Sequence, residues 1–220
     1  MARLNYQQLV VDSLRYDYPG PEFPDGRAAL HSVSFAARAG EVTAVVGVSG
    51  SGKSTLLACL GGLLTPNAGS IRLDDGDVSR PHRSAIVTQG APLFDRLTVW
   101  ENVATAWGTP RRALRDHAVE VLAGFDVAHV ADSFPRSISF GQRQRVAIAG
   151  SVASDAPVLL ADEPTGGLDP ENSTRVGLAL RTAAATGRIV IAVTHDQSIE
   201  AIADHVLRLE SGTVTVRGVA

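Results

Sequence analysis

Apolar and polar positions along this chain follow two rhythms, and the changes of rhythm mark its elements. Residues 4–18 alternate loosely and predict a strand running into an aromatic pair, Tyr16 and Tyr18. The proline- and glycine-rich stretch 19–26 ends it as a surface loop. Over 31–38 the alternation is clean, with Val33 and Phe35 on one face and Ser32 and Ser34 on the other, so the two segments predict an antiparallel edge. A short strand at 70–73 follows between turns at 65–69 and 74–76. Other runs have almost no polar face: 41–46, 85–88, 157–161 and 188–194. Strands of that kind are buried on both sides, as in a parallel sheet covered by helices. Helical spacing takes over at 54–62, at 98–124 and at 170–185. From 98 to about 124, Leu114, Ala118, Val121, Leu122 and the adjoining Phe125 form the inner stripe, and Arg111, Arg112, Arg115 and Glu120 lie outside it. After a break at 133–136, Ser139 is a suitable N-cap for a further helix opening within 137–145. The pattern predicts an α/β fold with a helical lobe inserted between strands.

Composition narrows this only slightly. A chain of 220 residues fits one α/β domain made of two lobes. Hydrophobic residues at 45% and charged residues at 20% place it among folded globular proteins. A net charge of −3 and a pI near 6.1 give no overall basic field, so no nucleic-acid partner is expected. Cys59 is the single cysteine, which excludes an intrachain disulfide and fits a reducing cytoplasm; among Leu56, Leu57 and Leu60 it reads as core filler. No apolar run reaches the roughly 18 residues of a membrane span, and the N-terminus lacks a signal-peptide layout. The chain is not expected to cross a bilayer by itself.

The chemistry starts at Lys53. It is the only lysine among 20 basic residues, the rest being arginine. A compact ammonium was kept where a planar guanidinium would not fit, as in a phosphate cradle. Its surroundings, Gly47-Val48-Ser49-Gly50-Ser51-Gly52-Lys53-Ser54-Thr55, have P-loop spacing between a predicted strand and a predicted helix. Gly47, Gly50 and Gly52 are expected to allow φ > 0 and close backbone approach. Lys53 would reach the β and γ phosphates, Ser54 would offer its hydroxyl to Mg²⁺, and the helix N-terminus would face the anion. The apolar run at 157–161 closes in Asp162 and Glu163, which suits a first carboxylate near Mg²⁺ and a second one handling water. Gln89 and His195 both stand at strand ends, where open α/β sheets place ligands. His195 is a candidate ligand to the γ-phosphate, whereas Gln89 taken alone reads more readily as a surface glutamine.

In this order and spacing the pieces resemble the nucleotide-binding subunit of an ATP-binding cassette (ABC) transporter, over nearly the whole chain. The signature reads Ile138-Ser139-Phe140-Gly141-Gln142, the Q-loop residue is Gln89, the D-loop is Gly167-Leu168-Asp169 and the switch histidine is His195. The resemblance implies a P-loop NTPase core of mainly parallel sheet with an antiparallel β edge. That core would span about 1–88 and 155–220, with a helical subdomain at about 90–154. It further implies a head-to-tail dimer, with a second copy or a paralogue, around two ATP molecules. The loop from Gly47 to Thr55, including Ser49 and Ser51, would hold the phosphates. Ser54, Gln89 and Asp162 would organise Mg²⁺, and Glu163 would polarise the attacking water. Ser139, Gly141, Gln142 and Asp169 would complete each site across the interface. Tyr18 best matches the aromatic that stacks on adenine, with Tyr16 in reserve.

Two positions depart from the family pattern. Phe140 stands where glycine is usual, so a ring must find room near the partner's nucleotide. Gly150-Ser151 stands where an arginine is common, at some cost in helix propensity. The resemblance also implies a separate membrane permease, which would hold the subunit at the inner face of the cell membrane. The wording from Asp162 to Asp169, with Gly61-Gly62-Leu63, looks like the export branch that includes lipoprotein-release and macrolide-export ATPases. Two other classes compete. A soluble ABC ATPase acting on nucleic acid would need coiled-coil insertions or basic patches, and a module that binds without turnover would not need intact Glu163 and His195.

Overall fold

Three of the runs without a polar face form the middle of one sheet: Val42–Val46 (β3), Val158–Asp162 (β6) and Ile189–Thr194 (β7). With Ser84–Val87 (β5), His205–Glu210 (β8) and Thr213–Arg217 (β9) they give the order β5-β6-β7-β3-β8-β9. All neighbours are parallel except β8 and β9, which pair antiparallel. The computed structural model describes residues 7–19, 27–73, 84–90, 92–154 and 156–217. The loop expected at 19–26, apart from its first residue, and the turn expected at 74–76 lie outside these residues.

A second, antiparallel sheet of three strands has the order β2-β1-β4, from Gln8–Tyr18 (β1), Arg27–Arg38 (β2) and Ala68–Leu73 (β4). This is the expected antiparallel edge. The central strands serve two cores at once, because successive side chains point to opposite faces. Val45, Leu160, Ile191 and Leu207 join Leu14, Leu30 and the helix Lys53–Leu60 (α1) on one face. Ala44, Leu159, Ala161, Val190 and Ala192 join the remaining helices on the other. Cys59 is buried in the first core, and burial pushes its thiol up to about 11, so it stays a neutral packing group.

The helical stretch 98–124 is not one helix. Val99–Ala104 (α2) is capped by the reciprocal Thr98 and Glu101 box, and Arg115–Ala123 (α3) starts eleven residues later, after Gly108 and Pro110 have broken the run. Ala118 and Leu122 are fully buried as the stripe required. Phe140–Ala153 (α4) follows, with Ser139 as its N-cap, and Pro170–Ala185 (α5) matches its expected span. Gly150 faces α2: a Cβ there would lie 3.9 Å from Val103 Cα. Beyond β7 come Gln197–Ile202 (α6) and the β8–β9 hairpin, which the periodicity had not picked out. No helix among the described residues is long and apolar enough to cross a membrane.

Arg188 ties this architecture together. Buried just before β7, it donates from Nη2 to Val152 O at 2.5 Å and Ser154 O at 2.6 Å, and from Nη1 to Thr186 Oγ1 at 2.6 Å. A cation thus satisfies the last carbonyls of α4 and complements its dipole, fixing that helix to the strand leading to His195. Arg188→Met is expected to cost about 3 kcal/mol of stability, since it leaves several acceptors without a charged donor. The midpoint of urea unfolding checks this.

Candidate active site

A cleft of about 1060 Å³ opens where β3, β6 and β7 end. The loop from Gly47 to Gly52 forms one wall, joined by Lys53, Ser54 and Thr55 at the start of α1. Gly50 and Gly52 have φ of +79° and +104°, conformations that cost a side-chain-bearing residue. Gly47 corrects the expectation for it. Its φ is not positive; it must be glycine because a Cβ would lie 2.2 Å from Leu209 O and 2.7 Å from Ser51 Oγ. Lys53 is buried, and its Nζ donates to Gly47 O at 2.7 Å and Val48 O at 3.1 Å. Ser51 lies beneath the loop with its hydroxyl buried and unpartnered.

Opposite the loop stand Asp162, Glu163, His195 and Gln89. Burial, with the neighbouring Glu163 charge, raises the Asp162 carboxyl above its usual range, while Lys53 acts in the other direction. The Asp162 carboxylate, the Ser54 hydroxyl and the Gln89 side-chain amide all line the cleft and offer oxygen donors of the kind a hard divalent cation takes. Glu163 has φ +44°, a strained conformation for a residue with a side chain. Its amide donates to Val193 O at 2.9 Å, and its Oε2 meets His195 Nδ1 at 2.9 Å and the Thr194 hydroxyl at 3.3 Å. Gln89 reaches the loop after β6, its Nε2 lying 3.4 Å from where a Cβ on Gly166 would be.

The two tyrosines are separated by burial. Tyr16 is 8% exposed and packs edge-on against Tyr18, with centroids 5.0 Å apart. Tyr18 is 44% exposed, lines the cleft, and shares a 2.9 Å hydrogen bond with Thr55 Oγ1. A flat, tethered ring at the mouth of a phosphate-sized loop is suited to stack on a base.

Besides the buried Ser51, four of the expected site residues do not line this cleft. Ser139 and Gln142 form a reciprocal cap at the start of α4: Ser139 Oγ accepts from Gln142 N at 3.2 Å and Gln142 Oε1 from Ser139 N at 2.8 Å. Gly141 is buried in the same turn, and Asp169 caps α5. Phe140 is half-buried with the Arg143 guanidinium 5.5 Å from its centroid, so its ring packs on its own helix. Conversely, Ala28, Ala29 and His31 of β2 and the turn Ser211-Gly212 line the cleft unannounced. Gly212 N donates to Ser51 O at 3.0 Å, bracing the loop from below. A Ser-Gly pair between two alternating runs is a hairpin signal, and it was the available clue.

A sequence-family model described as ABC transporter matches residues 30–166. The octopine permease ATP-binding protein P of Rhizobium radiobacter is 36% identical over 213 residues, covering 86% of this chain and 81% of that protein. The macrolide export ATP-binding/permease protein MacB of Rhodopseudomonas palustris is 38% identical over 209 residues, covering 88% of this chain and 32% of its own length. Among solved structures, the ATP-binding cassette MJ0796, in a dimeric post-hydrolysis state bound to ADP and Pi, superposes with a TM-score of 0.81. It is 28% identical, covering 96% of this chain and 99% of that one.

Proposed function

The chain belongs to the ABC transporter family and is an ATPase, and from that premise we propose that it acts as a head-to-tail pair driving a separate membrane permease. The observation that carries this reading is the meeting of Lys53, Asp162, Glu163, His195 and Gln89 around one cleft. In the proposed reaction water attacks the γ-phosphorus, the β–γ bridging bond breaks, and ADP and phosphate leave. Lys53 and the loop amides neutralise the phosphates, and Tyr18 stacks on the base. Glu163 accepts a hydrogen bond from the attacking water and takes its proton, while His195 orients Glu163 and contacts the γ-phosphate. Ser54, Asp162 and Gln89 would hold Mg²⁺, which supplies charge neutralisation on the phosphate oxygens.

Pairing is supported by what the cleft lacks. Ser139, Gly141, Gln142 and Asp169 stand away from it in the single chain, so a second copy or a paralogue would bring them. The MJ0796 relative was observed as a dimer. A permease is supported by a groove of about 200 Å³ beside the Gln89 loop, lined by Pro92, Leu93, Pro135 and Arg143. Phe94 and Phe134, adjacent to these residues, are 64% and 51% exposed. Docked there, the subunit would lie at the cytoplasmic face of the membrane. Export is the direction favoured by the Asp162–Asp169 wording and the MacB likeness. The octopine permease ATP-binding protein P matches at nearly the same identity.

If each site is shared, ATP turnover per chain rises with protein concentration until the pair is assembled. Steady-state phosphate release over a hundredfold dilution series, about the range needed to cross a micromolar dissociation constant, tests this. Turnover per chain that stays constant while sedimentation shows single chains would refute the shared site.

A further inference from the structure

Gly141 and Asp169 belong to different helices, and one side chain touches both. A Cβ built on Gly141 would lie 2.9 Å from Asn172 Oδ1 and 3.1 Å from its Cγ. Three residues beyond Asp169, Asn172 also donates from Nδ2 to Asp169 Oδ2 at 2.8 Å and from its backbone N to Asp169 Oδ1 at 2.9 Å. A carboxylate can only accept, so the amide nitrogen must face Asp169, and the amide oxygen is left against Gly141.

We propose that Asn172 is a positioning residue that locks the first turn of α4 to the Asp169 loop, so that both present themselves to the partner chain as one rigid unit. The inference rests on the paired reading above, in which both features act across the interface. The amide is wedged. If α4 slid along α5, the Gly141 backbone would press on the amide oxygen and rotate the nitrogen off Asp169; if Asp169 swung out, it would draw the wedge from under Gly141. Both oxygens of Asp169 are held by this one residue, and these hydrogen bonds keep its carboxyl below the usual range. The contact also supplies a local reason for glycine at 141, since a Cβ there would crowd the amide that is held on Asp169.

Two substitutions separate the ends of the wedge from simple helix capping, because the backbone N of residue 172 still caps Asp169 in both. Asn172→Asp keeps the volume under Gly141 but sets a carboxylate against a carboxylate; Asn172→Ala removes both amide contacts. Each is expected to lower the saturating rate of ATP hydrolysis about tenfold, the scale of a sub-ångström misplacement. ATP affinity of the dilute single chain should change less than about twofold, since its own phosphate loop is untouched. A merely structural role would move melting temperature and affinity alongside the rate. A double-variant cycle gives the second readout. Gly141→Ala lowers turnover by collision with Asn172, so Gly141→Ala combined with Asn172→Gly should be no slower than Asn172→Gly alone. The proposal is overturned if both single variants keep their rate within about twofold, or if the two losses multiply in the double variant. A wild-type chain that binds ATP without hydrolysing it would instead overturn the reading beneath the inference.

Discussion

Glu163→Gln is expected to lower ATP turnover by roughly 10²–10⁴-fold, the range for loss of a general base, while ATP binding is retained. The substitution is nearly isosteric, so the strained backbone at φ +44° and the bond from Glu163 N to Val193 O have no reason to change. What changes is the oxygen facing the cleft. Glu163 Oε2 now meets His195 Nδ1 at 2.9 Å and can only accept; a glutamine presents one acceptor and one donor and cannot take a proton from water. Because binding is assigned to Lys53 and the loop amides, the variant should fill with ATP and stop there. In the proposed pair, the two chains then have no hydrolysis to drive them apart. Size exclusion with Mg-ATP should show a stable pair for Glu163→Gln and a smaller paired fraction for the wild type. Phosphate release within about threefold of wild type would remove Glu163 from the chemistry, since a positioned base contributes far more than that.

How much of this was legible beforehand follows from the range of each interaction. Strands β3, β6 and β7 were visible because burial on both faces writes itself locally as an unbroken apolar run. Ser139 as N-cap was visible because a cap and the helix it serves are neighbours in sequence. The break between α2 and α3 was missed because the inner stripe that marks this region, Leu114 to Phe125, begins only after Gly108 and Pro110 and does not register what precedes them. For Gly47 the expected reason, a positive φ, gives way to another: a turn can be read from its own residues, but Leu209, the neighbour that leaves no room for a Cβ, is 162 residues away. Tyr16 and Tyr18 look equivalent along the chain, and the strand's two-residue period alone does not say which is covered; neighbouring strands bury one and leave the other at the cleft. Asn172 is the clearest case. Nothing near it in sequence marks it except the Asp169 cap, and its second contact comes from another helix.

Lys53→Arg conserves charge, changes shape, and is expected to weaken ATP binding by roughly 10²-fold or more, as for other losses of a directed electrostatic contact. The ammonium is buried and held on Gly47 O and Val48 O at 2.7 and 3.1 Å, inside a loop whose first glycine already abuts Leu209 O. It can rotate toward a phosphate with three donors set tetrahedrally on one small head. A guanidinium is planar and wider, and to fit here it must push the loop outward or leave donors without partners. Ligand-dependent melting reads the difference without requiring hydrolysis. At an ATP concentration about 100-fold above the wild-type dissociation constant, binding stabilises the wild type by about 2.7 kcal/mol; affinity 100-fold weaker leaves about 0.4 kcal/mol, hardly visible in a melt. Lys53→Met lacks both shape and charge and should show no ATP-dependent shift at all. If Lys53→Arg instead melted with the full wild-type shift, the guanidinium would serve the phosphates as well as the ammonium, and the lone lysine in a chain of arginines would carry no steric meaning.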